Sequence, residues 1–384
     1  MTSIRSLCLL LCLAIPLASL TACSCVEEPE EVPTPTPAPE VDHDRGYYLD
    51  MDMDSQGRVW LAYQDALDTG EALVASRGSG DPIEFEFWSV DGHGEVVNGI
   101  LTGAYHAGNY ASIAVDGSDR PHIAHWNRDA DTLQYATLSG ESFTTGLVAE
   151  GGRFASIGIK DGSTPIISFY DGGKLKVAVN DGSWGSEVVD EGTAPEVPEG
   201  EPAIDADVGQ YSDLMVASSG TVYVAYYDAA NGDLVVASGG PGAWTVETWA
   251  SEGNVGAWPT LSEHAGEIWV AYQDLDNHDL VLGHRVGDTL ETEIVDDGAF
   301  VGADSSIAWV GDTAAIMYHD GVNNDAKLAY NDGAGWVLST HMADGAVGFF
   351  NTVMPAANGD LNWSCFNHTS TDFVFQRFSL PAAE

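Results

Sequence analysis

Short apolar runs separated by Gly, Asp and Asn recur along this chain, and one unit is repeated seven times. It opens on Gly, any residue, usually an aromatic, any residue, a small polar residue, then an aliphatic. The copies start at Gly46, Gly108, Gly152, Gly209, Gly256, Gly302 and Gly348, spaced 62, 44, 57, 47, 46 and 46 residues apart. About nine to twelve residues after the aliphatic comes a second apolar run ending in Asp or Asn, for example Val224-Ala225-Tyr226-Tyr227-Asp228. A third run follows, as at Leu234 to Ala237, and a fourth often opens on Trp after a Gly-rich turn, as at Trp184, Trp244 and Trp336. The second run is apolar on both faces, as expected of strands buried between stacked sheets. No window of the body carries a sustained helical period. Four strands per unit at this spacing predict an all-β fold, a seven-bladed β-propeller of four-stranded antiparallel blades over residues 42–384.

The seventh unit ends after its third strand. By register the missing strand would fall near residues 32 to 39, where Pro occupies every second position. That segment fits an outer edge strand, with the missing N–H facing solvent, or an extended spacer. The spacer is the plainer reading, and it leaves a three-stranded or loosely closed last blade.

The N-terminus changes the picture of address. Residues 1–22 have a basic start at Arg5 and an apolar stretch from Leu7 to Ala18, the form of an export leader. The leader ends Leu20-Thr21-Ala22-Cys23, which resembles the lipobox of bacterial lipoproteins. The resemblance implies cleavage before Cys23 and attachment of lipid there, hence a cell-envelope protein, with Ser24 compatible with the outer membrane. Residues 23–41 would be the lipidated Cys and a tether rich in Glu, Pro and Thr. After cleavage only Cys23, Cys25 and Cys365 remain, so no disulfide framework is expected.

Charge then narrows the partners. The chain has 13 Lys plus Arg against 59 Asp plus Glu, a formal net charge of −46. Nucleic acid and anionic lipid surfaces would repel such a body. Adaptation to a saline habitat explains the charge, and so does binding of divalent cations or basic partners.

Three columns of residues fall on the propeller face that carries the second-to-third strand hairpins. The first is Tyr48, Tyr110, Phe154, Tyr211, Trp258 and Phe350, broken by Asp304; the rings would stack on a sugar or peptide, or wedge between blades. The second is Asp50, Ser112, Ser156, Asp213, Thr260, Ser306 and Thr352, either a solvated channel lining or a holder of water or a cation. The third is Asp65, Asn127, Asp171, Asp228, Asp274, Asp320 and Asn367, placed to cap turns with their own side chains. His106, His319 and His368 project near the same face with Asp304 and Asp320, so a metal site there is conceivable, though the spacing matches no ligand motif. Asp50, Asp52 and Asp54 alternate like a calcium loop but lack its glycine and read as strand plus turn. The sequence identifies no cofactor, and Ca²⁺ is the ion that so acidic a face would suit. Insertions break the spacing at about residues 78 to 106, including Phe85 to Trp88, and from Glu187 to Asp207, which holds eight acids and no base.

The unit from Asp54 to Asp65, Asp-x-x-Gly-x-x-Trp-x-Ala-Tyr-x-Asp, resembles repeats of sialidase-like bacterial propellers, although the Asp-box of that group is matched only in part. Activity of that kind implies three arginines around a substrate carboxylate. Arg58 and Arg120 fall instead at first-to-second strand turns, and no nucleophile motif such as Gly-x-Ser-x-Gly is present. The expected function is a non-catalytic module binding a glycan or an envelope protein. A carbohydrate-active enzyme using carboxylates of that face is the alternative, and a structural envelope protein the third. Candidate ligand-binding residues are Tyr48, Tyr110, Tyr211, Trp258, Phe350, His106 and Asp304.

Overall fold

A computed structural model describes residues 44–381, apart from 68–69, 93–94, 98–99, 103–104 and 288. The leader, Cys23, the tether and the closing strand considered at residues 32 to 39 lie outside the described residues. Every regular element among the described residues is a strand.

Six antiparallel sheets of four strands and a seventh of three form the blades, each in simple sequence order. Blade 1 is typical: Arg45–Met53, Val59–Leu67, Gly70–Ser79 and Glu84–Asp91. The inner strands of blades 2 to 7 are Asn109–Val115, Arg153–Lys160, Val208–Val216, Val255–His264, Val301–Val310 and Val347–Pro355. Each inner strand packs on the next, and the last packs on the first, so the ring closes.

The second strands are buried almost throughout, as their two-sided apolar pattern requires; Leu361–Asn367 of blade 7 is buried at every position. Cys365 sits in that strand, buried and unbridged. The core is a cluster at each blade–blade interface, such as Ile166, Leu175, Leu214, Val224 and Tyr226 between blades 3 and 4.

No fourth strand joins blade 7 to blade 1 among the described residues, and closure there rests on packing. Phe373 and Phe375 of blade 7 lie against Tyr63 and Phe85 of blade 1, with ring centroids 5.3 to 5.5 Å apart. Arg45 also binds Asp372 at 2.7 Å.

The first irregular spacing has a different origin from the one expected. Phe85 to Trp88 belong to the regular outer strand of blade 1, whose Trp stands mid-strand and not at its opening. The excess is a small hairpin, Glu95–Val97 with Ile100–Thr102. In the second, Glu187 to Asp190 finish the outer strand of blade 3, and residues 191 to 207 run on without regular structure.

Every inner strand carries the same β-bulge. In blade 2, Asn109 pairs with Trp126 and Ser112 with Ala124, so three residues of one strand span two of its partner. The same count holds in the other six blades. The Gly that opens the unit lets this bend sit against the preceding blade. At Gly256, φ is +92° and a Cβ would lie 2.5 Å from the Cα of Leu234 in blade 4. A side chain there would be strained and would also displace backbone.

This contrast predicts two unequal substitutions. Gly220 has φ +83° but open space around it. Gly220→Ala is expected to cost about 1 kcal/mol for the left-handed backbone alone. Gly256→Ala adds a clash between blades and should cost at least about 2 kcal/mol more. Urea unfolding of the two variants checks this, and equal losses would refute the close-approach explanation.

Candidate functional site

The bulge determines where the first column points. Its residues take the left-handed conformation at all seven positions, with φ between +48° and +54°. That region costs an ordinary L-residue about 1 kcal/mol or more, so its sevenfold use needs a return. The return is direction, since a bulge re-aims the side chain at its centre. All seven side chains are half-buried and line one depression of about 510 Å³ at the axial mouth.

Six of them form an unbroken aromatic arc. Successive centroids lie 5.1 Å apart from Phe350 to Tyr48, then 4.8 Å to Tyr110, 4.6 Å to Phe154, 4.8 Å to Tyr211 and 4.6 Å to Trp258. Neighbouring rings are tilted by 34° to 58°, so they line a wall and do not stack face to face. Stacking on a ligand and packing between blades are therefore not exclusive roles: each ring touches its neighbours and keeps part of its surface open. Asp304 fills the gap between Trp258 and Phe350.

The second column lies beneath the arc in the same lining. Its chief partners are not solvent. In five blades the small polar side chain accepts the backbone N–H of the aliphatic residue in a neighbouring inner strand. Asp50 accepts Ile113 at 2.9 Å, Ser112 accepts Ile157 at 3.2 Å, and Ser156 accepts Leu214 at 2.9 Å. Asp213 accepts Leu261 at 2.7 Å and Ser306 accepts Val353 at 3.0 Å. These bonds stitch blade to blade around the channel, a role that strand-by-strand reading of the sequence does not reveal. A further pair holds the bulges themselves: Ser212 donates to the Phe154 carbonyl at 2.7 Å, and Asn351 to the Asp304 carbonyl at 3.1 Å.

Burial in the channel raises its carboxyls. Loss of hydration pushes Asp213 up to about 6, against the N–H of Leu261, and the charge of Asp50 adds to the rise. Asp50 is raised by the same burial. Asp304 also reaches about 6 through burial, opposed by the backbone N–H of Phe350. Asp50 and Asp54 do not form a calcium loop, because Asp54 turns away to cap the first-to-second strand turn through the N–H groups of Gln56 and Arg58, each 3.0 Å away.

The third column caps hairpins in five blades. Asp228, Asp274, Asp320 and Asn367 each accept two backbone N–H groups of the following turn, and Asn127 accepts one from Ala130. The other two differ. Asp65 accepts the N–H of Asp44 across the blade, and Asp171 binds Lys176.

The three histidines do not gather with Asp304, and none lines the cup. His106 pairs with Asp129 at 2.8 Å and is not part of the axial lining. His319 lies against Phe349, and His368 packs edge-on to Phe349 and Phe366. Among the described residues no group of three or more His, Cys, Asp or Glu side chains is placed to hold a metal ion.

Fold and site together define a seven-bladed β-propeller with an aromatic-rimmed, acid-floored axial cup. No protein-family model matches the chain, and no curated protein matches it by sequence. Solved structures do match. A catalytically inactive virginiamycin B lyase from Staphylococcus aureus, solved with quinupristin, aligns over 89% of this chain and 99% of its own, with TM-score 0.55 and 10% identity. A protein of unknown function from Dyadobacter fermentans aligns over 88% and 92%, with TM-score 0.51 and 11% identity. A mutant NanB sialidase of Streptococcus pneumoniae aligns over 88% and 68%, with TM-score 0.45 and 12% identity. At these identities the first two likenesses speak for the propeller fold alone.

The Asp213 environment predicts a pH effect on stability. Its carboxyl, at about 6 when folded against an ordinary 3.8, binds a proton more tightly in the folded chain. Its contribution to stability is therefore fully present below about pH 4 and lost as pH rises through about 6. Asp213→Asn keeps an oxygen for the Leu261 N–H and removes this loss. Relative to the parent, the variant should gain stability progressively between about pH 4 and pH 6, with no further gain above that range, in urea titrations. A difference that does not change with pH would contradict the assignment.

Proposed function

We propose that this propeller is a non-catalytic binding module of a bacterial cell envelope, anchored through lipid on Cys23, which takes a glycan or a segment of a partner protein at its axial cup. The observation that carries the reading is the arc of six half-open aromatic rings, each held inward at a backbone position that is costly for its residue type. Strain of this kind accumulates where a side chain must be presented, and aromatic faces serve sugars and peptide side chains alike. The raised carboxyls of Asp213 and Asp304 favour a second reading, a carbohydrate-active enzyme with a protonated acid near neutral pH.

A glycan array probed with the purified protein, with bound sugars recovered and checked for cleavage, separates the two. For the module, Trp258→Ala and Tyr110→Ala should each weaken binding by about 2 kcal/mol, roughly thirtyfold, with sugars recovered intact. Cleavage abolished by Asp304→Asn would move the assignment to the enzyme. Unchanged binding in both aromatic variants would remove the cup as the site.

The anchor has its own test. Expressed in a bacterium, the chain should fractionate with membranes and carry a lipid mass on a peptide beginning at Cys23. Cys23→Ser should release it to the soluble fraction. Membrane fractionation of that variant equal to the parent would exclude the anchor.

A further inference from the structure

We propose that the axial cup is a receptor site for an organic cation, an ammonium group with alkyl substituents, seated against the aromatic arc with Asp304 as its counterion. The proposal rests on the reading of the cup as the binding site and adds the chemical class of its ligand.

Three observations point the same way. The wall is electron-rich: the faces of Tyr, Phe and Trp attract a cation within about 6 Å of the ring centroid, more strongly where water is excluded. The centroid spacings of 4.6 to 5.1 Å leave no gap along the arc. A cation entering the mouth therefore meets several rings.

The acid in the arc lacks a protein cation. No Lys, Arg or His lines the cup among the described residues. The Asp304 carboxylate lies near the Phe350 N–H, and no ion pair engages it among the described residues. Beside it in the same wall, the Ser305 hydroxyl is buried without a hydrogen-bond partner. The protein supplies positive charge elsewhere, as where Lys327 meets the buried Asp296, so the omission at Asp304 is local. Below the arc, Asp50 and Asp213 add negative potential on the channel floor.

The approach is acidic too. The connection from the outer strand of blade 3 to the inner strand of blade 4 lies at the cup end of the propeller. It exposes Glu196, Glu199, Glu201 and Asp205 and contains no Lys or Arg. With a chain charge of −46, such a face attracts cations and repels anions before contact. A neutral sugar would gain nothing from this field, whereas an ammonium group would. The ammonium could be the headgroup of a free quaternary amine or the end of a lysine side chain. Both bring a positive charge on alkyl-substituted nitrogen to the rings and to Asp304, and the lysine adds N–H donors that the quaternary amine lacks.

Calorimetric titration of the full chain at about pH 8 with three probes tests the proposal. The probes are choline, Nα-acetyl-lysine amide and 3,3-dimethylbutan-1-ol, the uncharged carbon isostere of choline. At least one ammonium should bind roughly tenfold or more tightly than the isostere, and added salt should weaken it. Choline preferred over the lysine amide would indicate a quaternary headgroup, and the reverse a protein side chain. Asp304→Asn, nearly isosteric and of a type that tolerates left-handed backbone, should lose roughly tenfold for the ammonium and little for the isostere. Trp258→Phe serves as a second variant, keeping an aromatic ring in place with less surface. It should weaken the ammonium by a smaller factor. Equal affinity for charged and uncharged probes, or no ammonium binding, would overturn the cation assignment. Neutral glycans that bind and are lost with Trp258→Ala would leave the axial site standing without it. Absence of every ligand from the cup would sink both readings.

Discussion

The structure depends on one local constraint repeated seven times: a bulge in each inner strand whose central residue is held in the left-handed region. Three consequences follow from that bend. It brings the opening Gly close against the preceding blade, and at Gly152, Gly209, Gly256 and Gly348 closer to its third strand than a Cβ would permit. It swings the central side chain to the axial mouth. It is also locked from the neighbouring blade where Ser212 and Asn351 hold the carbonyls of Phe154 and Asp304. A flat inner strand would alternate its side chains between its two sheet faces and could not present a ring of residues to the axis.

Blade-to-blade cohesion then comes from two kinds of bond of different reach. Apolar clusters between sheets supply most of the burial, while the small polar residue of an inner strand reaches along the channel wall to a backbone N–H of the neighbouring inner strand. Small side chains are required there because the inner strands converge on the axis. Where the residue is Asp, the same bond places a charge in a poorly hydrated channel, and the proton affinity of Asp213 rises accordingly. Cohesion and electrostatics at the floor of the cup are thus two results of one choice of residue.

Much of this was legible in the sequence because a propeller repeats its chemistry. The Gly-x-aromatic spacing located all seven inner strands, and the break at Asp304 stood out only against six aromatic positions. Capping by Asp228, Asp274 and Asp320 followed from the known habits of Asp at hairpin ends. The stitches from Ser112 or Asp213 were not legible, because they join strands 45 to 48 residues apart and have no local mark. Nor was the left-handed backbone, since Tyr, Phe and Trp are not residues that announce it. The outer strand at Phe85 to Trp88 was misplaced because its Trp stands mid-strand, and a later hairpin carries the extra length. His106 shares the face of the cup in sequence register, yet a loop residue is positioned by its partner, here Asp129, and not by a repeat.

The one break in the aromatic column is where the geometry becomes selective. A propeller of seven equivalent blades with seven aromatic rings would close its own mouth with a complete apolar collar, suited to any flat ligand and specific for none. Asp304 interrupts that collar at the same strained position, with φ of +50°, which Asp accommodates more readily than an aromatic does. It also introduces a carboxylate that partial burial makes harder to ionise and that no ion pair engages among the described residues. Leaving a charge so poorly compensated costs free energy in the empty protein, which a bound donor or cation would recover. If the cup is the binding site proposed above, the asymmetry makes the ligand's charge, and not only its shape, part of what it would distinguish.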